Sequence, residues 1–197
     1  MARPDKIAST TVQRLQKLLD NEATYQQKLS SSQPALKLAI EYIFLSGFKE
    51  WENFLELTFF SQSRFNTPIG RRRLAPFLKP KSLEHAKDLV QLEKDFLDWT
   101  TPDHVIKRAE ILFKQSSLIV EPLKSNITML RDVKKIRNYI AHGSSESERI
   151  FQALSVNRLG QKMQDAGDFL LARPAGQNNH YVVIYLEKFI ELVKLMS

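Results

Sequence analysis

Residues 35–60, ALKLAIEYIFLSGFKEWENFLELTFF, decide the fold of this chain because their apolar side chains recur at helical spacing. These side chains cover nearly the whole circumference of the predicted helix, which places it in the middle of a helical bundle. The most apolar part, residues 35–48, carries Lys37 and Glu41 and is too short to span a bilayer. The stretch therefore predicts an all-α fold with this helix at its centre.

The segments around the central helix predict further helices and one interruption. Residues 61–81 contain Pro68, Gly70, Pro76 and Pro80, which break any helix there. Residues 181–185 have the composition of a strand, but the apolar spacing and the length up to Met196 favour a helix. Residues 168–173 are predicted to form a short extended segment. The other predicted helices span residues 6–29, 83–99, 102–116, 125–142 and 150–165.

Composition limits the classes of function that the chain can have. Its 197 residues predict a single domain, and a formal net charge of +7 points to an anionic partner, nucleic acid before membrane. The absence of cysteine excludes disulfides and thiolate metal sites. No apolar secretory segment follows Met1, so a cytoplasmic setting is the expectation. No phosphate-binding loop, dinucleotide fingerprint, zinc-protease motif or nucleophile elbow is present, and we expect neither a cofactor nor a metal.

The heptapeptide RNYIAHG, residues 137–143, ends the predicted helix 125–142 and carries the chemistry. An imidazole that moves a proton and a guanidinium that holds a phosphate suffice for metal-free RNA cleavage. On a helical wheel Arg137 falls within the apolar arc, about 140° and roughly 7.5 Å from His142. One helix alone therefore presents the two heads poorly to one phosphate, which favours two motifs paired about a two-fold axis. The polar face also carries Arg131, Lys134, Lys135 and Asn138.

This motif resembles the Arg-x4-His motif of HEPN domains (higher eukaryotes and prokaryotes nucleotide-binding), many of which are metal-independent ribonucleases. The spelling RNxIAHG is close to bacterial members, and WENFL at residues 51–55 resembles the aromatic run of their long central helix. The resemblance covers residues 35–143 and implies an antiparallel helical bundle of HEPN type, with residues 1–34 and 144–197 as accessory helices. It implies a homodimer whose motifs face each other across a cleft.

The resemblance also assigns roles to residues. Arg137 and His142 would be catalytic with Asn138 beside them, and Glu52 would orient Arg137. His142 would take the proton from an RNA 2′-hydroxyl, giving 2′,3′-cyclic phosphate and 5′-hydroxyl ends. The family occurs in toxin–antitoxin and anti-phage systems, which implies an antitoxin or other inhibitory partner. Ser144 departs from a subset of toxins that carry a modified tyrosine at this position, so that form of control is not expected here.

Simpler interpretations of the same residues remain open. Arg137 could form a buried ion pair with Glu52 that fixes the bundle, and His142 could interact with the helix dipole. The run Arg71-Arg72-Arg73 could bind RNA or form a solvated loop. The chain could accordingly be a dimeric ribonuclease, a non-catalytic RNA-, nucleotide- or protein-binding module, or a subunit of a larger complex.

Overall fold

The computed structural model describes residues 3–65, 68–69, 72–91, 98–114 and 116–197. In this part of the chain nearly all regular structure is helical, which confirms the all-α prediction; the HEPN-type arrangement stays a prediction. A short antiparallel pair, β1 (Pro68–Ile69) and β2 (Arg72–Arg73), joins Pro68 to Arg73 and Ile69 to Arg72. The helices are α1 (Pro4–Lys28), α2 (Gln33–Phe65), α3 (Leu83–Gln91), α4 (Pro102–Leu112), α5 (Ser117–Ser125), α6 (Ile127–His142), α7 (Ser145–Leu159), α8 (Ala166–Leu171) and α9 (Tyr181–Leu195).

The central helix α2 is longer than predicted and runs on to Phe65. Its buried residues lie on several sides of the helix, as an apolar circumference requires. Its extension beyond residue 60 contains Ser61 and Gln62, which are fully buried, and Ser63, whose hydroxyl donates to the Phe59 carbonyl at 3.0 Å. The apolar residues of α2 that are buried are Leu36, Ile40, Ile43, Phe44, Phe48, Trp51, Phe54, Leu55, Phe59 and Phe60.

Two predicted helix ends are wrong because local polar and extended contacts intervene. The third helix does not reach residue 99, since Asp98 and Trp99 are not helical. The Asp98 carboxylate accepts hydrogen bonds from the backbone N–H groups of Thr100 (2.9 Å) and Thr101 (3.2 Å), which forms a turn before Pro102. The fourth helix ends at Leu112 rather than residue 116, because Phe113 is extended and pairs with Pro76.

The second half of the chain contains a helix that the sequence pattern missed and one that it misassigned. Residues 117–125 form α5, and Asn126 separates α5 from α6. Residues 166–171 form helix α8, so the predicted extended segment at 168–173 is wrong. The Asp165 carboxylate caps α8 by accepting from the Asp168 N–H at 2.9 Å. The sixth predicted helix begins earlier, at Ser145, and ends at Leu159 before Gly160, whereas helix α9 confirms the helical interpretation of residues 181–196.

The residues group into two compact units, and the single-domain prediction stays a prediction. Unit 1 comprises Met1–Gln13, Trp51–Leu130 and Glu191–Ser197, and unit 2 comprises Arg14–Glu50 and Arg131–Ile190. In unit 1, Phe59 packs edge-on against Trp99 (ring centroids 5.0 Å apart) and against Phe113 (5.6 Å). This aromatic cluster joins α2 to the segments on both sides of α4.

Unit 2 is built around a second aromatic cluster and a close helix contact. Phe169 of α8 lies edge-on to Phe151 of α7 (5.7 Å) and stacks on Tyr181 of α9 (4.6 Å). A Cβ on Gly167 would come within 2.6 Å of the Lys37 Cβ and 2.9 Å of its Cα. Helix α8 therefore approaches α2 closely only because residue 167 is glycine.

Candidate active site at the end of α6

A buried ion pair in unit 2 fixes α6 against α7. Asp132 is 5% exposed, and its Oδ2 accepts from the Arg158 Nη2 at 2.5 Å and the Nε at 2.7 Å. This pairing holds the pKa of Arg158 above its ordinary value. Lys135 adds a longer contact to Asp132 Oδ1 at 3.6 Å. The two-pronged geometry of Arg158 sets the rotation of α6 and hence the direction of its exposed face.

We predict that Asp132→Asn lowers the free energy of unfolding by about 2 kcal/mol, because it removes the charge facing Arg158 from a mostly buried site. Chemical denaturation of the wild type and the variant measures this loss. The matched control is Glu146→Gln, which breaks the exposed pair with Arg149 (2.7 Å) and is expected to leave the denaturation midpoint unchanged. Equal midpoints for both variants would contradict a structural role for Asp132.

Tyr139 secures the last turn of α6. Its ring stacks on Phe151 of α7 with centroids 4.4 Å apart and an interplanar angle of 3°, and its hydroxyl donates to the Gln164 carbonyl at 2.7 Å. Burial raises the pKa of Tyr139, so the hydroxyl stays a neutral donor. Both the ring and the hydroxyl of Tyr139 therefore fix the turn that carries the neighbouring polar residues.

The three polar residues of the motif come together in this turn. The Arg137 Nη1 donates to the Asn138 Oδ1 at 3.3 Å and contacts the His142 Nε2 at 3.3 Å. His142 is exposed, and Arg137 and Asn138 are half-buried. The Arg137 guanidinium thus contacts both the Asn138 amide and the His142 imidazole of the same chain.

This contact corrects the argument from the helical wheel. The wheel compares directions at the helix surface, where Arg137 and His142 are about 140° apart. An arginine side chain is long enough to cross that gap, and Asn138 lies between the two positions and accepts from Nη1 on the way. Pairing of two chains is therefore not needed to bring an arginine head to a histidine head.

The contact also bears on the tautomer of the imidazole. A guanidinium has N–H donors and no acceptor, so as a hydrogen bond this contact uses the lone pair of His142 Nε2, in the tautomer that carries its ring proton on Nδ1. This is the form of histidine that a general base requires. Among the described residues of unit 2, none hydrogen-bonds to Arg137 Nε or Nη2, and no carboxylate lies within ion-pair distance of this guanidinium. That edge is available to two oxygens of a phosphate.

The end of the helix is shaped by glycine and serine. Gly143 adopts φ +56°, a left-handed conformation that stops α6 directly after His142. Ser144 then caps α7, its Oγ accepting from the Ser147 N–H at 3.2 Å. The Glu146 carboxylate follows, and the hydrogen bond from Arg149 holds its pKa below the ordinary value. The acid that follows the motif most closely in sequence is therefore already paired with a cation.

The remaining predicted site residues lie in different settings. Arg131 is exposed, Lys134 is half-buried, and Lys135 is engaged by Asp132. Glu52 is half-buried in unit 1, and its proposed role toward Arg137 stays a prediction. Arg71 lies outside the described residues. For Arg72 and Arg73 the structure gives only their backbone pairing in β2.

Two supporting residues were not predicted from the sequence, although each left a signal. Asp132 is the one acid in α6 and lies beside the apolar arc, where an unpaired carboxylate would be costly. Tyr139 lies beside Ile136 on the wheel, at the edge of the same arc. Both patterns indicate a contact but not its partner, because Arg158 and Gln164 come from later segments.

Comparisons with known proteins give no match: no protein-family model, no curated protein and no solved structure corresponds to this chain. Among the described residues, no three or more histidine, aspartate and glutamate side chains are grouped as a metal ion would need. None of the helices in these residues combines the length and apolarity needed to cross a membrane.

Proposed function

We propose that this chain is a metal-independent endoribonuclease of HEPN type that cleaves RNA by transesterification. The observation that carries the proposal is the contact of the Arg137 guanidinium with His142 Nε2 at 3.3 Å on an exposed helix end. A phosphate-binding cation and an imidazole nitrogen that can accept a proton are the two groups that this reaction needs. The resemblance of residues 137–143 to the Arg-x4-His motif agrees with it.

Substrate binding would separate the two heads. A phosphate offers the guanidinium two anionic oxygens, which are stronger acceptors than a neutral imidazole. When Arg137 turns to the phosphate, His142 Nε2 is released and can take the proton of the 2′-hydroxyl. The 2′-oxygen then bonds to phosphorus and the bond from phosphorus to the 5′-oxygen breaks. Arg137 stabilises the charge on the non-bridging oxygens, and Asn138 holds the guanidinium or the phosphate.

The in-line geometry of the displacement at phosphorus favours a homodimer for a reason other than the positions of Arg137 and His142 on the helical wheel. Entering and leaving oxygens stand on opposite sides of phosphorus in an in-line reaction. One imidazole reaches one of them, so the 5′-oxygen needs a proton from another source. His142 of a second copy, related by a two-fold axis, is a suitable donor. The proposed active form is therefore a homodimer with a composite site.

The test of the proposal is cleavage of a defined RNA by the purified protein in excess EDTA, with the ends identified by mass spectrometry. We expect 2′,3′-cyclic phosphate and 5′-hydroxyl ends. A matched RNA with a single 2′-deoxy nucleotide at the main cleavage site should stay intact there, because it lacks the attacking hydroxyl. Cleavage at the deoxy position, or cleavage only with added metal, would reject the mechanism.

A second function has one observation in its favour. The lone pair of His142 Nε2 is occupied by Arg137 in the free chain, and a protein in which this contact persists would bind RNA or a partner without cutting. The EDTA experiment separates the two, since such a module binds the same RNA and leaves it whole. A role in a toxin–antitoxin or anti-phage system, with an inhibitory partner, follows from the resemblance alone. Growth arrest on expression, relieved by His142→Ala, tests that role.

A further inference from the structure

Unit 1 exposes an apolar and basic surface that the proposed active site does not use. Of the ten phenylalanines whose side chains the structure describes, nine are buried and Phe77 is 56% exposed. Leu78 beside it is 67% exposed, and Ile111 at the end of α4 is 54% exposed. We call these three residues the Phe77 patch. Large apolar side chains that are exposed side by side indicate a candidate binding surface.

Main-chain pairing holds the patch together. The Phe77 N–H donates to the Leu112 carbonyl at 2.9 Å, one residue from Ile111. The Lys114 N–H donates to the Ala75 carbonyl at 2.8 Å on the other side of the bridge between Pro76 and Phe113. The exposed side chains are thus presented on a fixed backbone, which lowers the entropy that binding would cost.

Buried residues on both sides of the exposed stretch explain this presentation. Leu74 is fully buried, and Pro80 is buried six residues later. Between them the chain turns outward at Phe77 and Leu78. The ring of Phe77 is therefore exposed because its neighbours in sequence are fixed in the core, and not because the segment lacks a core contact.

Four exposed lysines lie close to the patch along the chain. Lys79 and Lys81 follow Leu78, Lys107 lies one helical turn before Ile111, and Lys114 follows the bridge. None of the four forms an ion pair within the described residues. The nearest acid in sequence to Ile111, Glu110, is matched by Lys124 at 3.1 Å. The patch is thus an aromatic and aliphatic surface with four exposed lysines close to it in the chain.

We propose that the Phe77 patch binds single-stranded RNA, with bases packing on Phe77, Leu78 and Ile111 and phosphates contacting the lysines. An aromatic surface flanked by cations is the general means of holding a single strand without sequence preference. A membrane surface fits less well, because interfacial binding uses the long apolar face of a helix, whereas this patch has three apolar side chains on a bend and a helix end. The choice of RNA as the natural strand rests on the proposed function.

The experiment measures binding affinity by fluorescence anisotropy with two labelled twelve-nucleotide strands. The first is oligothymidine, which cannot be cleaved because it lacks the 2′-hydroxyl. The second is oligouridine, which is tested with the His142→Ala chain so that it is not cleaved. Phe77→Ala should weaken both affinities at least fivefold. Lys79→Gln with Lys81→Gln should reduce the slope of log affinity against log salt by about 1.4. The control for Phe77→Ala is Tyr42→Ala, which removes a 64% exposed aromatic ring in unit 2. The control for the lysine pair is Lys17→Gln with Lys28→Gln, which removes two exposed lysines of α1.

The controls should bind like the wild type, and a duplex of the same length should bind more weakly, because its bases are already stacked. Equal loss in the Phe77→Ala and Tyr42→Ala chains would overturn the inference. So would binding to phosphatidylserine vesicles that depends on Phe77 while binding to the oligonucleotides does not. If the protein binds oligothymidine through Phe77 but never cleaves RNA, the proposed function is rejected and the inference that the Phe77 patch binds a single strand is retained.

Discussion

His142→Ala is expected to reduce RNA cleavage in EDTA by about 10²- to 10⁴-fold, the contribution of a general base. The mechanism needs a proton acceptor at His142 Nε2, the ring atom that contacts Arg137 in the free chain. Alanine cannot accept the proton, while the exposed position of the side chain means that little packing is lost. Initial cleavage rates of the two proteins on one fluorescent RNA measure the effect.

The control for this prediction is His104→Ala, which removes an exposed imidazole from α4 in unit 1. It should cleave at the wild-type rate, although it also removes a contact to Asp98 at 3.1 Å, and His142→Ala should keep the wild-type circular dichroism and unfolding midpoint. If His142→Ala cleaves normally, His142 is not the base. If it cleaves slowly because it unfolds, the residue has a structural role, which the unfolding midpoint reveals directly.

The parts of the fold that the sequence predicts are those where one segment decides its own structure. The apolar circumference of residues 35–60 requires surrounding partners whatever they are, so α2 and its burial were predictable. The end of α6 was predictable because Gly143 alone stops it. In both cases the signal lies inside the element, and a contact with another segment is not needed to read it.

The predictions from sequence are wrong where a contact with a distant segment determines the local structure. Helix α8 has six residues, too few for a periodic pattern, and it is stabilised by the Asp165 cap and by the approach of Gly167 to Lys37. The end of α4 depends on pairing between Pro76 and Phe113, which are far apart in the chain. In the site, the wheel failed because it omits side-chain length, which allows Arg137 to reach His142. These contacts are properties of the folded chain.

Arg137→Ala is expected to lower cleavage by about 10²- to 10³-fold, the cost of removing one donor to a developing oxyanion. Arg137→Lys keeps the charge but loses the planar fork that can hold two phosphate oxygens, so it should restore only part of the rate. Initial rates at saturating RNA measure both. The double variant Arg137→Ala with His142→Ala should be little worse than His142→Ala alone, because the two groups act on one transition state.

The same variants decide whether one chain supplies both heads. Because Arg137 and His142 of a single chain are already in contact, a mixture of Arg137→Ala chains and His142→Ala chains should stay inactive. If instead the arginine of one chain served the histidine of another, the purified mixed dimer would hold one complete pair out of two, about half of the wild-type sites. Co-expression with two different tags and purification of the mixed dimer measures this. Recovered activity would show that the intrachain contact is a resting arrangement that dimerisation or RNA replaces, whereas inactivity follows both from an intrachain pair and from a composite site that needs His142 of both copies.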